Sequence, residues 1–163
     1  MRLLDLGADA PGSWRIVNDG VMGGRSSSCF TMAPAHAVFE GTLSLANGGG
    51  FASVRIPVEE GALAGAGRIR LRVRGDGRRY ELRLRRGDRF TEVAWTASFR
   101  PPDGSWGTVE IPLAAFEPTF RGSRPRGVGP LDPGGIGQIG FMLSDGREGP
   151  FRLEVAWVEV EEG

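Results

Sequence analysis

The segment GIGQIG, residues 135–140, has the spacing of a dinucleotide-binding fingerprint, with Glu159 near the distance of a ribose-binding acid. In such a fingerprint the glycines let a pyrophosphate approach the backbone at a helix N-terminus. That chemistry needs a strand before the glycines and a helix after them. Here a Pro-Gly loop precedes and the apolar run FML follows, so these glycines are read as the entry to a strand. His36, the only histidine, would have to carry any Ser-His-Asp or metal-histidine scheme. No partner is spaced for it, and its place in APAHAVFEG predicts a partly exposed imidazole at a strand edge. The single Cys29 excludes an internal disulfide and a cysteine-rich zinc site, and reads as a small buried hydrophobe. All 20 basic residues are arginine, which excludes a Schiff-base lysine and a Walker-type phosphate loop. No catalytic residue, metal site or cofactor is expected.

The stretch VNDGVMGGRSSSCF, residues 17–30, poses a different question. Gly23 and Gly24 permit close backbone approach, while Asn18, Asp19 and Ser26 to Ser28 can bond the surrounding main chain. A second glycine cluster, Gly48 to Gly50, is followed by Phe51 and Arg55. Two such glycine-rich strand ends form either a structural clasp or a shallow polar site near one end of the fold. Its candidate ligand- or partner-binding residues are Asn18, Asp19, Gly23, Gly24, Arg25, Ser26, Gly50, Phe51 and Arg55. Ten arginines between residues 68 and 89 meet only Asp76, Glu81 and Asp88. They read as a wet sheet face offset by cross-strand pairing with the glutamates of 148–162, or else as an anion-facing or partner-facing patch. Arg74-Gly75-Asp76 matches an adhesion tripeptide, but turn chemistry already accounts for it.

Strands must position these groups, because alternation of period two runs through most of the chain. RIRLRVRG, residues 68–75, puts Ile69, Leu71 and Val73 on one face and four arginines on the other. RRYELRLRR then puts Tyr80, Leu82 and Leu84 on one face, and the Asp76-Gly77 junction predicts a β-hairpin between the two. Further strands are expected in AVFEGTLSL, FASVRI, FTEVAWTASF, GTVEIPL, IGQIGFML and FRLEVAWVEV, giving about eight. Helical signal is confined to residues 112–117, a turn or two. Residues 121–135 read as a long surface loop. The fold class is all-β, an antiparallel sandwich or barrel.

With 163 residues, 40% hydrophobic and 25% charged, the chain is expected to form one domain over 1–163 with a single core. Zero formal net charge gives no global attraction to nucleic acid or anionic membrane. No apolar run approaches a membrane span, so no membrane insertion is expected. MRLLDLGADAPGSW has neither signal-peptide nor transit-peptide character, and a cytoplasmic protein is expected.

Taken in order, Trp14, NDGVMGGRSSS, FEGTLSLANGGGFASVR, LRVRGDGRRYELRLR, Trp106 with VEIPLAAFEPTFRG, and IGQIGFMLSDGREGPFRLEVAWV resemble the complex I intermediate-associated protein family. The resemblance runs from about Trp14 to Val160. It implies a galactose-binding-like β-sandwich of jelly-roll type, related in fold to carbohydrate-binding modules, with no established catalytic residues. The mitochondrial members carry a presequence and a long N-terminal extension, and this chain is similar to a minimal bacterial-type homologue. The implied function is a non-catalytic protein-interaction or assembly module, with respiratory-complex subunits as partners. The alternative is a carbohydrate-binding module for a sugar or other small polar ligand, with Trp95 and Trp106 as stacking surfaces.

Overall fold

The computed structural model describes residues 2–7, 14–86, 93–120 and 124–163, and these form twelve strands, among them the eight alternating runs. They are β1 (Arg2–Asp5), β2 (Arg15–Ile16), β3 (Ser27–Met32), β4 (Ala37–Leu43), β5 (Ala52–Pro57) and β6 (Ala66–Arg74). There follow β7 (Tyr80–Arg86), β8 (Ala94–Phe99), β9 (Gly107–Pro112), β10 (Glu117–Thr119), β11 (Ile136–Leu143) and β12 (Gly149–Glu162). Helix among the described residues is limited to single 3-10 turns, one of them at Leu113–Ala115 where a short helical signal was expected.

The strands make two antiparallel sheets. The first has the order β3-β4-β12-β6-β9, with β1 added on β12, and the second the order β10-β8-β7-β11-β5-β2. The long β12 pairs with β4 through its first half, and β1 takes the edge that β4 leaves. The fold is a β-sandwich of the expected all-β class.

The core lies between the sheets and is the inward half of each alternation. Ile69, Leu71 and Val73 of β6 are fully buried, as are Tyr80, Leu82 and Leu84 of β7. Each large side chain so buried contributes about 1.5–3 kcal/mol relative to exposure. An aromatic chain crosses between the layers. Phe39 meets Phe151 edge-on at 5.1 Å, and Phe151 meets Tyr80 at 6.5 Å, joining the first sheet to the second.

Three expectations change. The residues around Asp76-Gly77 do not close a hairpin: β6 pairs with β12 and β9 in the first sheet, whereas β7 pairs with β8 and β11 in the second. The turn carries the chain from one layer to the other. Cys29 is exposed, because it sits opposite Glu40 on the outward side of β3, while Phe30 and Phe39 take the inward positions. The strand count rises from about eight to twelve, the additions being β1, β2, β3 and β10. Residues 90–92 of the expected strand FTEVAWTASF, residues 121–123 of the expected loop, and Asp88 and Arg89 of the arginine run lie outside the described residues. Residues 124–132 carry no regular element.

Candidate functional site

Asn18 and Asp19 stand where β2 has left the second sheet and the chain turns toward β3 in the first. The Asn18 side-chain oxygen accepts from the Ser28 hydroxyl at 2.8 Å and from the Ser53 amide at 3.2 Å. Ser28 belongs to β3 and Ser53 to β5, so one amide group bridges the two sheets. Around it, Val17 N–H donates to the Ser53 carbonyl at 2.9 Å, and the Ser53 hydroxyl donates to the Val17 carbonyl.

Asp19 makes the second bridge. One carboxylate oxygen accepts from the Ser26 amide at 2.9 Å. The other accepts from the Ser26 hydroxyl at 2.7 Å, the Gly50 amide at 2.7 Å and, more weakly, the Phe51 amide at 3.4 Å. Its side chain is fully buried. Burial pushes the carboxyl pKa up, but the Ser26 hydroxyl and the Gly50, Ser26 and Phe51 amides outweigh it and hold the group below its ordinary value. Ser26 extends the network, its hydroxyl also accepting from Ser44 N–H at 2.9 Å.

The glycines are required by proximity to that carboxylate. A Cβ on Gly24 would lie 2.3 Å from Asp19 Cγ, and one on Gly49 would lie 2.5 Å from Asp19 Oδ2. The structure therefore brings Asn18, Asp19, Gly24, Ser26, Gly50 and Phe51 into one cluster that ties β3 to β5. Gly23 caps the 3-10 turn Asp19–Met22 in the left-handed region, and its carbonyl accepts from the Asn47 side chain at 3.2 Å. Arg25 is exposed and gives no bond to the cluster. Arg55 lies on β5, opposite Arg15 of β2. With Arg15, Asn18, Gly20 and Ser26 it lines an open depression of about 640 Å³.

Two further motifs interlock. The Asp76 carboxylate accepts from Tyr80 Oη at 2.9 Å, Arg78 N–H at 3.1 Å and Arg152 N–H at 2.7 Å. Arg78 forks onto Asp145 at 2.7 and 2.9 Å and also donates to the carbonyls of Gly149 and Pro150. RGDGRRY is thereby fastened to the segment SDGREGP, and the adhesion tripeptide is accounted for by internal bonding.

The arginine run divides between the two layers. Arg68, Arg70 and Arg74 lie on the outer face of the first sheet, where they pair with Glu161, Glu110 and Glu154 as cross-strand neighbours should. Arg83 and Arg85 lie on the outer face of the second sheet, which the sequence does not distinguish from the first. The signal that separates them is their pairing strand: β12 offers glutamates to β6, whereas β11 offers Gln138 and Gly140 to β7.

His36 places Nε2 3.1 Å from Glu154 Oε1 and its ring edge-on to Trp106 at 5.2 Å, a half-buried position beside β4. Trp106 also lies under the Arg74 guanidinium, 5.0 Å from its ring centroid. Trp95 packs against the core of the second sheet. The two tryptophans thus belong to different layers and form no common stacking surface. Among the described residues no three His, Cys, Asp or Glu side chains gather as metal ligands, and no helix is long and apolar enough to cross a membrane.

Residues 6–155 match the family described as complex I intermediate-associated protein 30 (CIA30). This chain belongs to the CIA30 family. It is 30% identical over 169 aligned residues to the mitochondrial complex I intermediate-associated protein 30 of Mus musculus, covering 90% of this chain and 51% of that protein. The CIA30 domain here thus spans about half the length of that curated relative.

In fold it is similar to the family 11 carbohydrate-binding module of the cellulosomal cellulase Lic26A-Cel5E of Clostridium thermocellum. The TM-score is 0.69 at 17% identity, over 100% of this chain and 95% of that one. An agarase contains a similar domain, with a TM-score of 0.65 at 10% identity over 100% of this chain and 24% of that one. At these identities the likeness shows a shared carbohydrate-binding-module fold, the jelly-roll and galactose-binding-like architecture expected of the family, and carries no ligand across.

Proposed function

We propose that this CIA30 domain is a non-catalytic, cytoplasmic binding module that assists the assembly of a respiratory NADH:quinone oxidoreductase or another multi-subunit complex by holding a protein partner. One observation carries the reading: the carboxylate of the glycine-rich segments is enclosed by backbone and serine donors. An acid already engaged by four hydrogen bonds and removed from solvent has no lone pair to offer as a base or nucleophile. The segments that mark the family are spent on joining two sheets, and function is left to the surface around them. On this reading Asn18, Gly23, Arg25, Ser26, Gly50, Phe51 and Arg55 contribute to a partner-binding rim, with Asp19 and Gly24 holding its shape.

The test is genetic. Deleting the gene in its native host should lower the amount of fully assembled NADH:quinone oxidoreductase on native gels, and wild type should restore it. A variant combining Arg25→Ala and Arg55→Ala should fold but fail to restore assembly. Unchanged assembly of that and other respiratory complexes in the deletion strain would overturn the reading. Likeness of fold supports the alternative, a module for a sugar or other small polar ligand. Glycan-array binding inhibited by free sugar, with assembly intact, would replace the first reading with this one.

A further inference from the structure

The geometry points to a second site, on the outer face of the second sheet, which we propose binds a small multivalent oxyanion through Arg15, Arg55, Arg83 and Arg85. Arg55 also belongs to the partner-binding rim proposed above, but the second site is inferred from the arginine cluster and does not rest on the assembly reading.

Register places the four arginines together. Arg15 of β2 stands opposite Arg55 of β5, Arg55 opposite Gly140 of β11, and Gly140 opposite Arg83 of β7. Arg85 follows two residues along, on the same face, opposite Gln138. Neighbouring strands lie about 5 Å apart, so Arg55 and Arg83 are rooted about 10 Å apart with one glycine between them. A Cβ on Gly140 would come 3.9 Å from the Arg55 stem and 2.9 Å from the Val54 carbonyl. No side chain of β11 therefore stands between the two guanidinium-bearing chains at that level.

This arrangement differs from the other arginine face of the same molecule. On the first sheet Arg68, Arg70 and Arg74 each face a glutamate on the neighbouring strand, Arg70 lying between Glu159 and Glu110. On the second sheet the strands flanking β7 present Gln138, Gly140 and Met142 on one side and Thr96 and Ser98 on the other. The carboxylates on this face among the described residues are already engaged at its margins: Glu81 accepts from the Ser144 hydroxyl at 3.1 Å, and Glu117 is 3.3 Å from Arg124. Among the described residues Arg83 bonds the Met142 sulfur and, at 3.4 Å, the Thr119 hydroxyl, its buried Nε has no acceptor, and the Glu81 carboxylate attracts it without a direct bond. Arg85 is 8% exposed, and no carboxylate or carbonyl among the described residues accepts from it.

Burying two like charges such as Arg83 and Arg85 with no carboxylate bonded to them costs stability, and a fold keeps such a pair where an incoming anion repays the cost. Burial, then repulsion from Arg83, Arg55 and Arg15, pushes the Arg85 pKa down to about 9, still charged at neutral pH. Guanidinium forks match carboxylate and phosphate oxygens two at a time. Several forks spread over two strand spacings call for a ligand with at least two anionic groups. The strand positions of this face carry no aromatic ring, so a neutral sugar has nothing to stack on.

The test is calorimetric titration at constant ionic strength with pyrophosphate, with citrate and with an oligoglutamate peptide, beside thermal melts of the same proteins. The first two probes distinguish phosphate from carboxylate chemistry. Wild type should bind at least one of them, and Arg85→Gln should weaken that binding by about tenfold or more while its melting temperature stays level or rises. Gln138→Glu, which sets a carboxylate opposite Arg85, should abolish binding and raise the melting temperature; it decides the question if Arg85→Gln fails to fold. Arg72→Gln on the first sheet should bind as wild type does. Three outcomes would overturn the proposal: no heat from either small anion beyond that of matched chloride, equal binding by wild type and Gln138→Glu, or binding of the peptide alone.

Discussion

Two strong amide donors, from Ser26 and Gly50, end on the buried Asp19 carboxylate, and removing the acceptor leaves them unmet in a partly buried place. Each buried donor left unmet costs about 1–3 kcal/mol, so Asp19→Ala should lower the urea midpoint clearly at unchanged m-value. Gly49→Ala should destabilise as well, since its new methyl would press on Asp19 Oδ2. The two effects are coupled. In the Asp19→Ala background the obstructing oxygen is gone, so Gly49→Ala should cost less there than in wild type, and a double-mutant cycle by urea denaturation measures the difference. Strict additivity of the two changes would mean that the carboxylate is not where the glycine must make room for it.

At the scale of elements, charge pairs of similar appearance differ by burial. Arg78 and Asp145 are 8% and 7% exposed, and they lock the β6–β7 crossing onto the β11–β12 turn. Arg78→Met leaves Asp145 buried and unpaired, a change that typically costs about 3–5 kcal/mol. Arg68→Gln on the open face of the first sheet should shift the urea midpoint far less, and its small effect should fade with added salt. Comparing the two variants at low and high salt by urea denaturation checks both. These elements also show what the sequence makes legible. The inward faces of β6 and β7 follow from alternation alone, because apolar burial is a local pattern, whereas bulges after Ile136 of β11 and Val155 of β12 shift the alternation in those strands. The destination of each strand does not: an Asp-Gly turn permits reversal but does not say whether the next strand returns to the same sheet. β3 is concealed by its serines, which face outward or bond to Asn18, and β2 and β10 are too short to show a period. Pairing of the two glycine segments is visible in the sequence. That Asp19 is consumed between them depends on contacts more than thirty positions apart, which no local pattern encodes. For the same reason Arg83 and Arg85 look like Arg70 and Arg72 until the partner strand is known.

For the whole molecule, the two sheets are held by a hydrophobic interior and by carboxylates that fasten the segments between layers, and acid acts on the second alone. Asp19 and Asp145 have folded-state pKa values below their ordinary ones despite burial, through hydrogen bonds from Ser26 and from Arg78. Arg74, followed by Arg152, holds Glu154 down to about 2 against its burial. A carboxyl whose pKa is lower in the folded chain binds fewer protons there than in the unfolded chain. Its stabilisation is therefore complete above the unfolded value, near 4, and is lost as pH falls toward the folded one. Stability should accordingly be level from about pH 7 to 5 as far as these groups are concerned, and should fall steeply between about pH 4.5 and 2. Glu154→Gln separates this from general acid repulsion. The variant should be less stable than wild type at pH 7, because Arg74 and His36 lose their partner, and its stability should decline less over the acid range. The two curves should therefore converge as the wild-type carboxylate takes up its proton. Urea denaturation at successive pH values reads the slopes directly, and parallel curves would show that the first-sheet Arg–Glu ladder does not set the acid limit of the fold.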